Sequence, residues 1–147
     1  MAQRRPALKP ATTVFLDSSV LFTAVNSPIG GSAKLFTLSK IKLVTSPLVL
    51  AEVERNVRKK LQGYHRERFF KLAAGIKIVE QRPDDRLIQQ AQKFIVEKDA
   101  VILAEAKNSK ADFLVTLDKK HFLQESVKNF LSPQKVLAPK GLLEMAK

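Results

Sequence analysis

Short apolar runs, each too brief for a helix and each followed by a helix-patterned stretch, constrain this chain most. Val14-Phe15-Leu16, residues 42–45, residues 77–80 and Phe113-Leu114-Val115-Thr116 read as buried strands, with a fifth expected over 136–138. Helices are expected over 18–25, 32–39, 47–62, 64–74, 83–97 and 99–109, and from Pro139 to the end. Ser46-Pro47 is the clearest of the starts: an N-cap serine, then proline at the first helical position. Strands that alternate with helices predict an α/β fold of three α/β/α layers around a central parallel sheet.

A length of 147 residues fits one domain, expected over 13–147 behind a basic, proline-containing extension at 1–12. A hydrophobic share of 45% suffices for a sizeable core. There are no cysteines, which excludes disulfides, thiolate zinc sites and thiol nucleophiles. Arg4, Arg5 and Lys9 imitate the charged start of a signal peptide, but Asp17 interrupts the apolar stretch behind them, so none is expected. Nor does any apolar run approach the roughly 18 residues of a membrane span. The expectation is a cytoplasmic protein without a membrane partner.

The formal net charge of +12 favours a polyanionic partner. Residues 52–71 hold seven Lys and Arg against three Glu, whereas residues 72–118 hold seven against eight acidic residues. An acidic focus inside a basic protein is what a metal-dependent nuclease requires. A generally soluble, Lys-rich surface is the plainer explanation of the charge.

Four acidic residues carry the chemical argument: Asp17, Glu52, Asp99 and Asp118. Asp17 and Asp118 fall just past expected strand ends, and the carboxyl ends of a parallel sheet form its binding crevice. Carboxylates gathered there repel one another unless cations sit among them, and hard cations such as Mg²⁺ take oxygen ligands. On the 47–62 helix the expected core stripe is Leu50, Val53, Val57 and Leu61. Glu52 lies off that stripe, with Arg55, Asn56 and Lys59 on its side of the helix. Arg55 and Lys59, with Lys119 and Lys120 beside Asp118, are the candidate phosphate contacts.

Each acid also has a plainer role. Glu52 suits a solvated helix face, Asp99 a helix N-cap and Asp118 a turn cap. Asp17 resists such a role, because a carboxylate directly after a buried strand costs desolvation unless something compensates it. Asp112 precedes its strand and is expected to be structural, at the opposite end. His65 and His121 read as surface residues, since neither has a partner at ligand spacing.

Val14 through Leu21 resembles the opening strand and turn of the PIN domain. Ser46-Pro47 through Glu52, Asp99 through Ala104 and Ala111 through Asp118 are similar to its next three motifs, in order. Residues 135–143 resemble the closing strand and helix of a toxin-component subfamily, so the likeness covers about 13–145. Two departures stand out: Ser18-Ser19 replaces the commoner Thr-Asn, and Leu117 stands where Gly is frequent. The resemblance implies a Mg²⁺- or Mn²⁺-dependent endoribonuclease with Asp17, Glu52, Asp99 and Asp118 as catalytic metal ligands. Ser19 and Thr116 would orient the carboxylates from behind. It also implies RNA as substrate, an antitoxin as a partner and a homodimer, for which residues 64–74 and 32–39 are the candidate faces.

Other classes fit less well. An aspartyl phosphatase needs a second Asp where Ser19 stands, a receiver domain needs paired acids and a late Lys, and a dinucleotide site needs a Gly-rich turn after the first strand. The alternative that survives is a non-catalytic PIN-like RNA-binding module or assembly factor.

Overall fold

The computed structural model of the protein describes residues 8–147; Arg4 and Arg5 of the expected extension lie outside them. Five parallel strands form the sheet: β1 (Thr12–Leu16), β2 (Ile41–Thr45), β3 (Lys77–Ile78), β4 (Phe113–Val115) and β5 (Lys135–Leu137). Their spatial order is β3-β2-β1-β4-β5. β1 pairs with β2 on one side (Val14 opposite Leu43) and with β4 on the other (Phe15 opposite Leu114).

Eight α-helices are present among the described residues: α1 (Ser18–Asn26), α2 (Gly31–Lys34), α3 (Pro47–Lys60), α4 (Gly63–Ala73), α5 (Asp85–Ala91), α6 (Glu97–Ser109), α7 (Glu125–Leu131) and α8 (Pro139–Met145). The chain moves one way from β1 to β2 to β3, then reverses to β4 and β5. Right-handed crossovers therefore place α1–α4 on one face of the sheet and α5–α7 on the other. The packing agrees: α1, α3 and α4 touch one another, and α5 packs on α6. The result is the three-layer α/β/α fold. None of these helices is long and apolar enough to cross a membrane.

Local chemistry explains the firmest elements. Val14, Phe15 and Leu16 are fully buried, as a central strand covered on both faces must be. Ser46 Oγ accepts from Val49 N at 3.1 Å and Pro47 opens α3, as expected. The buried stripe of α3 is Val49, Val53 and Val57, whereas the expected Leu50 and Leu61 are only partly covered.

Several elements differ from expectation, β3 among them, which covers only Lys77–Ile78. The single helix expected over 83–97 stops at Ala91, and α6 starts at Glu97, so Asp99 sits in its first turn rather than at its cap. The break is made by tight turns: Lys93 N donates to Gln90 O and Phe94 N to Ala91 O, which lets Ile95 reach the core. No Gly or Pro marks it. The helix expected over 32–39 is one short α-helix continued by a 3₁₀ turn, Leu35–Thr37. Helix α7, with only Val127 and Leu131 buried, was too short to leave a periodic pattern.

Candidate active site

The strand order reverses between β1 and β4, and in sheets of this kind a crevice opens outside the carboxyl ends at that point. Asp17 follows β1 directly and Asp118 follows β4 by three residues. Helix α6 runs back toward the start of β4, so its first turn, with Asp99, also lies at that edge. Helix α3 leaves the same edge after β2 and brings Glu52. An open cleft of about 210 Å³ is lined by all four carboxylates, together with Ser18, Ser19, Phe22, Asn56, Lys60, Lys98 and Phe122. At about 30 Å³ per water, it has room for a cation that keeps part of its hydration.

Asp17 is 97% buried and occupies the N-cap position of α1 without capping it. Its carboxylate turns sideways instead. Ser19 Oγ donates to Oδ2 at 2.7 Å and Thr116 Oγ1 donates to the same oxygen at 2.8 Å. Among the described residues Oδ1 has only Ser18 Oγ, at 3.4 Å, and is the oxygen left for another partner. Both hydroxyls are themselves held, since Leu117 N donates to Ser19 Oγ at 3.0 Å and Asp118 N to Thr116 Oγ1 at 3.0 Å. Among the described residues only Ala11 and Lys110 have positive φ outside glycine, so Leu117 needs no glycine-like conformation. The loop tolerates the departure from the usual Gly.

Glu52 and Asp99 are half-buried acids whose pKa values lie above the ordinary carboxylate range. For Glu52 burial is the main cause, followed by the charges of Asp17 and Asp99; Arg55 and Lys98 oppose the shift. For Asp99 burial again leads, the Lys98 ammonium opposes it, and Asp17 adds to it. Asp99 Oδ2 is a buried oxygen with no hydrogen-bond donor among the described residues. His121 Nδ1 is 3.4 Å away, but it engages Asp118 Oδ2 at 3.1 Å. An orphaned carboxylate oxygen among three other acids is a donor set suited to a hard divalent cation.

The helices that bring Glu52 and Asp99 are tied together. Ser46 Oγ, at the cap of α3, donates to Glu105 Oε1 on α6 at 2.8 Å. Burial raises the Glu105 pKa, and this bond opposes the rise.

The cations around the cleft differ from those picked out in the sequence. Lys60 and Lys98 line it, with Lys60 Nζ 5.9 Å from the Phe22 ring centroid. Arg55, Lys59, Lys119 and Lys120 are exposed and lie outside the lining. At about 100° per residue, Asn56 lies between Glu52 and the stripe Val49-Val53-Val57, and Lys60, at the end of the helix, lies in line with the stripe. Arg55 and Lys59 rotate to the solvent side. Anchoring the stripe on Leu50 rather than Val49 conceals this. Two other cations of the basic stretch are engaged in the fold: Arg58 pairs with Glu54 at 2.8 Å, and Arg68 donates to the Ala24 carbonyl.

Neither histidine is a free surface group. His65 is buried and its Nδ1 accepts from Gln62 N at 3.2 Å at the start of α4. His121 reaches the site through a turn, three residues after Asp118. The spacing Asp118-x-x-His121 was the available signal. Asp112 lies at the far end of the sheet, where its Oδ2 accepts from Thr13 N at 2.8 Å.

The PIN domain family model matches residues 14–125. The chain belongs to the PIN domain family. No curated protein matches its sequence. Among solved structures it is similar to PAE2754 from Pyrobaculum aerophilum, at 15% identity and a TM-score of 0.64, over 92% of this chain and 96% of that one. The sarcin-ricin loop cleaving toxin VapC20 of Mycobacterium tuberculosis superposes with a TM-score of 0.54 at 15% identity, covering 73% and 91% of the two chains. A toxin-antitoxin complex from Klebsiella pneumoniae gives 0.58 at 18% identity, with coverage of 86% and 97%. These likenesses establish the PIN fold.

Proposed function

We propose that this PIN domain is a divalent-metal-dependent endoribonuclease, and that it is the toxin of a toxin-antitoxin pair. The observation that carries the proposal is the convergence of Asp17, Glu52, Asp99 and Asp118 on one cleft, with a buried Asp99 oxygen unsatisfied. Asp17 Oδ1, Glu52, Asp99 and Asp118 would hold Mg²⁺ or Mn²⁺. Bound there, the cation would supply Lewis acidity toward water and phosphoryl oxygens. Ser19 and Thr116 hold Oδ2 of the Asp17 carboxylate, which leaves Oδ1 for the cation. Lys60 and Lys98 draw the phosphate backbone over the acids, and Asn56 offers it an amide N–H.

RNA as substrate is supported by the net charge of +12 and by the likeness to a toxin that cleaves the sarcin-ricin loop. The antitoxin partner is supported by the likeness to a toxin-antitoxin complex. A homodimer is part of the same reading: Phe69 is buried, but Tyr64 and Phe70 are exposed on α4 as apolar contacts for a second copy. A cytoplasmic location is part of the same reading. Incubating the purified protein with labelled RNA in Mg²⁺, Mn²⁺ or EDTA tests the proposal: cleavage is expected with either ion and none in EDTA.

A further inference from the structure

Both oxygens of Asp118 are taken by one residue. The backbone N–H of His121 donates to Oδ1 at 2.9 Å, and the ring Nδ1 stands 3.1 Å from Oδ2. The turn that makes this possible is firmly built, because Phe122 N and Leu123 N both donate to the Asp118 carbonyl and Phe122 is buried. The imidazole is therefore aimed at the carboxylates by a fixed piece of backbone. Its Nδ1 is also 3.4 Å from Asp99 Oδ2, the buried oxygen without a hydrogen-bond donor.

The hydrogen bond to Asp118 accounts for only part of this arrangement. One Nδ1–H can serve Asp118 Oδ2 well, and it then leaves Asp99 Oδ2 unpaired. A cation between the three atoms satisfies all of them together. Two neighbouring ligands, each about 2.1 Å from a common ion, are about 3.0 Å apart in an octahedron and about 3.4 Å apart in a tetrahedron. The separations of 3.1 and 3.4 Å fall in that interval, and one ligand atom from each of Asp99, Asp118 and His121 lies within 4.8 Å of the others.

We infer that His121 Nδ1 is a nitrogen ligand to a cation shared with Asp99 and Asp118, and that it biases this site toward ions of the Zn²⁺ and Co²⁺ class over Mg²⁺. The bias follows from ligand chemistry: carboxylate oxygens suit Mg²⁺, whereas imidazole suits the later first-row ions. The inference rests on the reading of the cleft as a cation site, and it adds a residue and a selectivity to that reading. A protein built this way loads Zn²⁺ in preference to Mg²⁺ at equal concentrations of the two ions.

The full chain, stripped with EDTA and reloaded with Co²⁺ alone, gives the direct readout by proton NMR in water. A coordinated imidazole shows a strongly shifted, exchangeable N–H signal from its distal nitrogen. The chain has two histidines. The signal is expected in the wild type and in His65→Gln, and absent in His121→Asn. By calorimetry, His121→Asn should weaken Zn²⁺ binding about tenfold or more and change Mg²⁺ binding by less than about threefold. If His121→Asn fails to fold, the comparison of wild type with His65→Gln still decides.

No shifted exchangeable signal in the wild type, or its loss in His65→Gln, overturns the inference; so does an equal loss of Zn²⁺ and Mg²⁺ affinity in His121→Asn. Because RNA is absent from both measurements, the two readings fail separately. A protein that shows the signal but cuts no RNA contradicts the nuclease alone. One that cuts RNA with Mg²⁺ but lacks the signal contradicts only the role of His121.

Discussion

Thr116 Oγ1 donates a hydrogen bond to Asp17 Oδ2 at 2.8 Å, joining residues 99 positions apart across the ends of β1 and β4. The same hydroxyl accepts from Asp118 N at 3.0 Å. One buried side chain thus fixes two of the four carboxylates relative to each other. The strand pairing that brings these ends together also builds the site.

Thr116→Val keeps the shape and removes the hydroxyl. Asp17 loses a donor and Asp118 N loses its acceptor, so unfolding in urea should show a loss of about 1–3 kcal/mol. Thr116→Ser should recover most of it. Equal stability of the Val variant and the wild type would show that this bond contributes nothing.

Glu52 and Asp99 titrate above the ordinary carboxylate range, chiefly through burial. Between the ordinary and the raised values the folded state binds more protons than the unfolded one. Stability without metal should therefore fall as pH rises through that window and then level off. Asp99→Asn removes one such group, so in EDTA near pH 7 its melting temperature should exceed that of the wild type by a few degrees. Added Mg²⁺ should stabilise the wild type more than the variant. Calorimetry across this pH range checks both, and parallel curves for the two proteins would count against a repulsive cluster.

Lys60 and Lys98 line the cleft, whereas Arg55 and Lys59 face solvent. RNA affinity should fall steeply with salt, by about 0.7 in slope for each phosphate contacted on a single strand. Lys60→Ala with Lys98→Ala should flatten the slope by one to two such steps and weaken all sequences alike. Fluorescence anisotropy at several salt concentrations measures this. An unchanged slope would place the phosphate track elsewhere, with Arg55 and Lys59 the next pair to replace.

Tyr64 and Phe70 are exposed on α4, whereas Phe69 is buried. Light scattering at micromolar concentration should give twice the mass of one chain, and Tyr64→Ser with Phe70→Ser should shift it toward one. A single-chain mass for the wild type would end the dimer reading and leave the nuclease untouched.

The sheet was legible because its strands are buried on both faces and so carry unbroken apolar runs, as at Val14-Phe15-Leu16. The start of α3 was legible for another reason: Ser46-Pro47 is a chemical cap. What escaped depended on tertiary packing. The break between α5 and α6 has no Gly or Pro, only the pull of Ile95 into the core. Choosing Leu50 and Leu61 over Val49 for the α3 stripe rotated its centre by about 45°, and Lys60, which lines the cleft, was passed over for Arg55 and Lys59. His121 was missed because its partnership with Asp99 spans 22 residues and exists only once the α6 start meets the turn after β4.

Cleavage of labelled RNA by the EDTA-stripped wild type, Asp17→Asn and Asp112→Asn, each with and without added Mn²⁺ or Mg²⁺, tests the central claim most directly. Asp17 faces the cleft, whereas Asp112 bonds Thr13 N at the other end of the sheet. Cleavage by the wild type and by Asp112→Asn should require the added ion, and Asp17→Asn should lose about a hundredfold or more. Cleavage that persists in EDTA, or that survives in Asp17→Asn at the wild-type rate, would contradict the account.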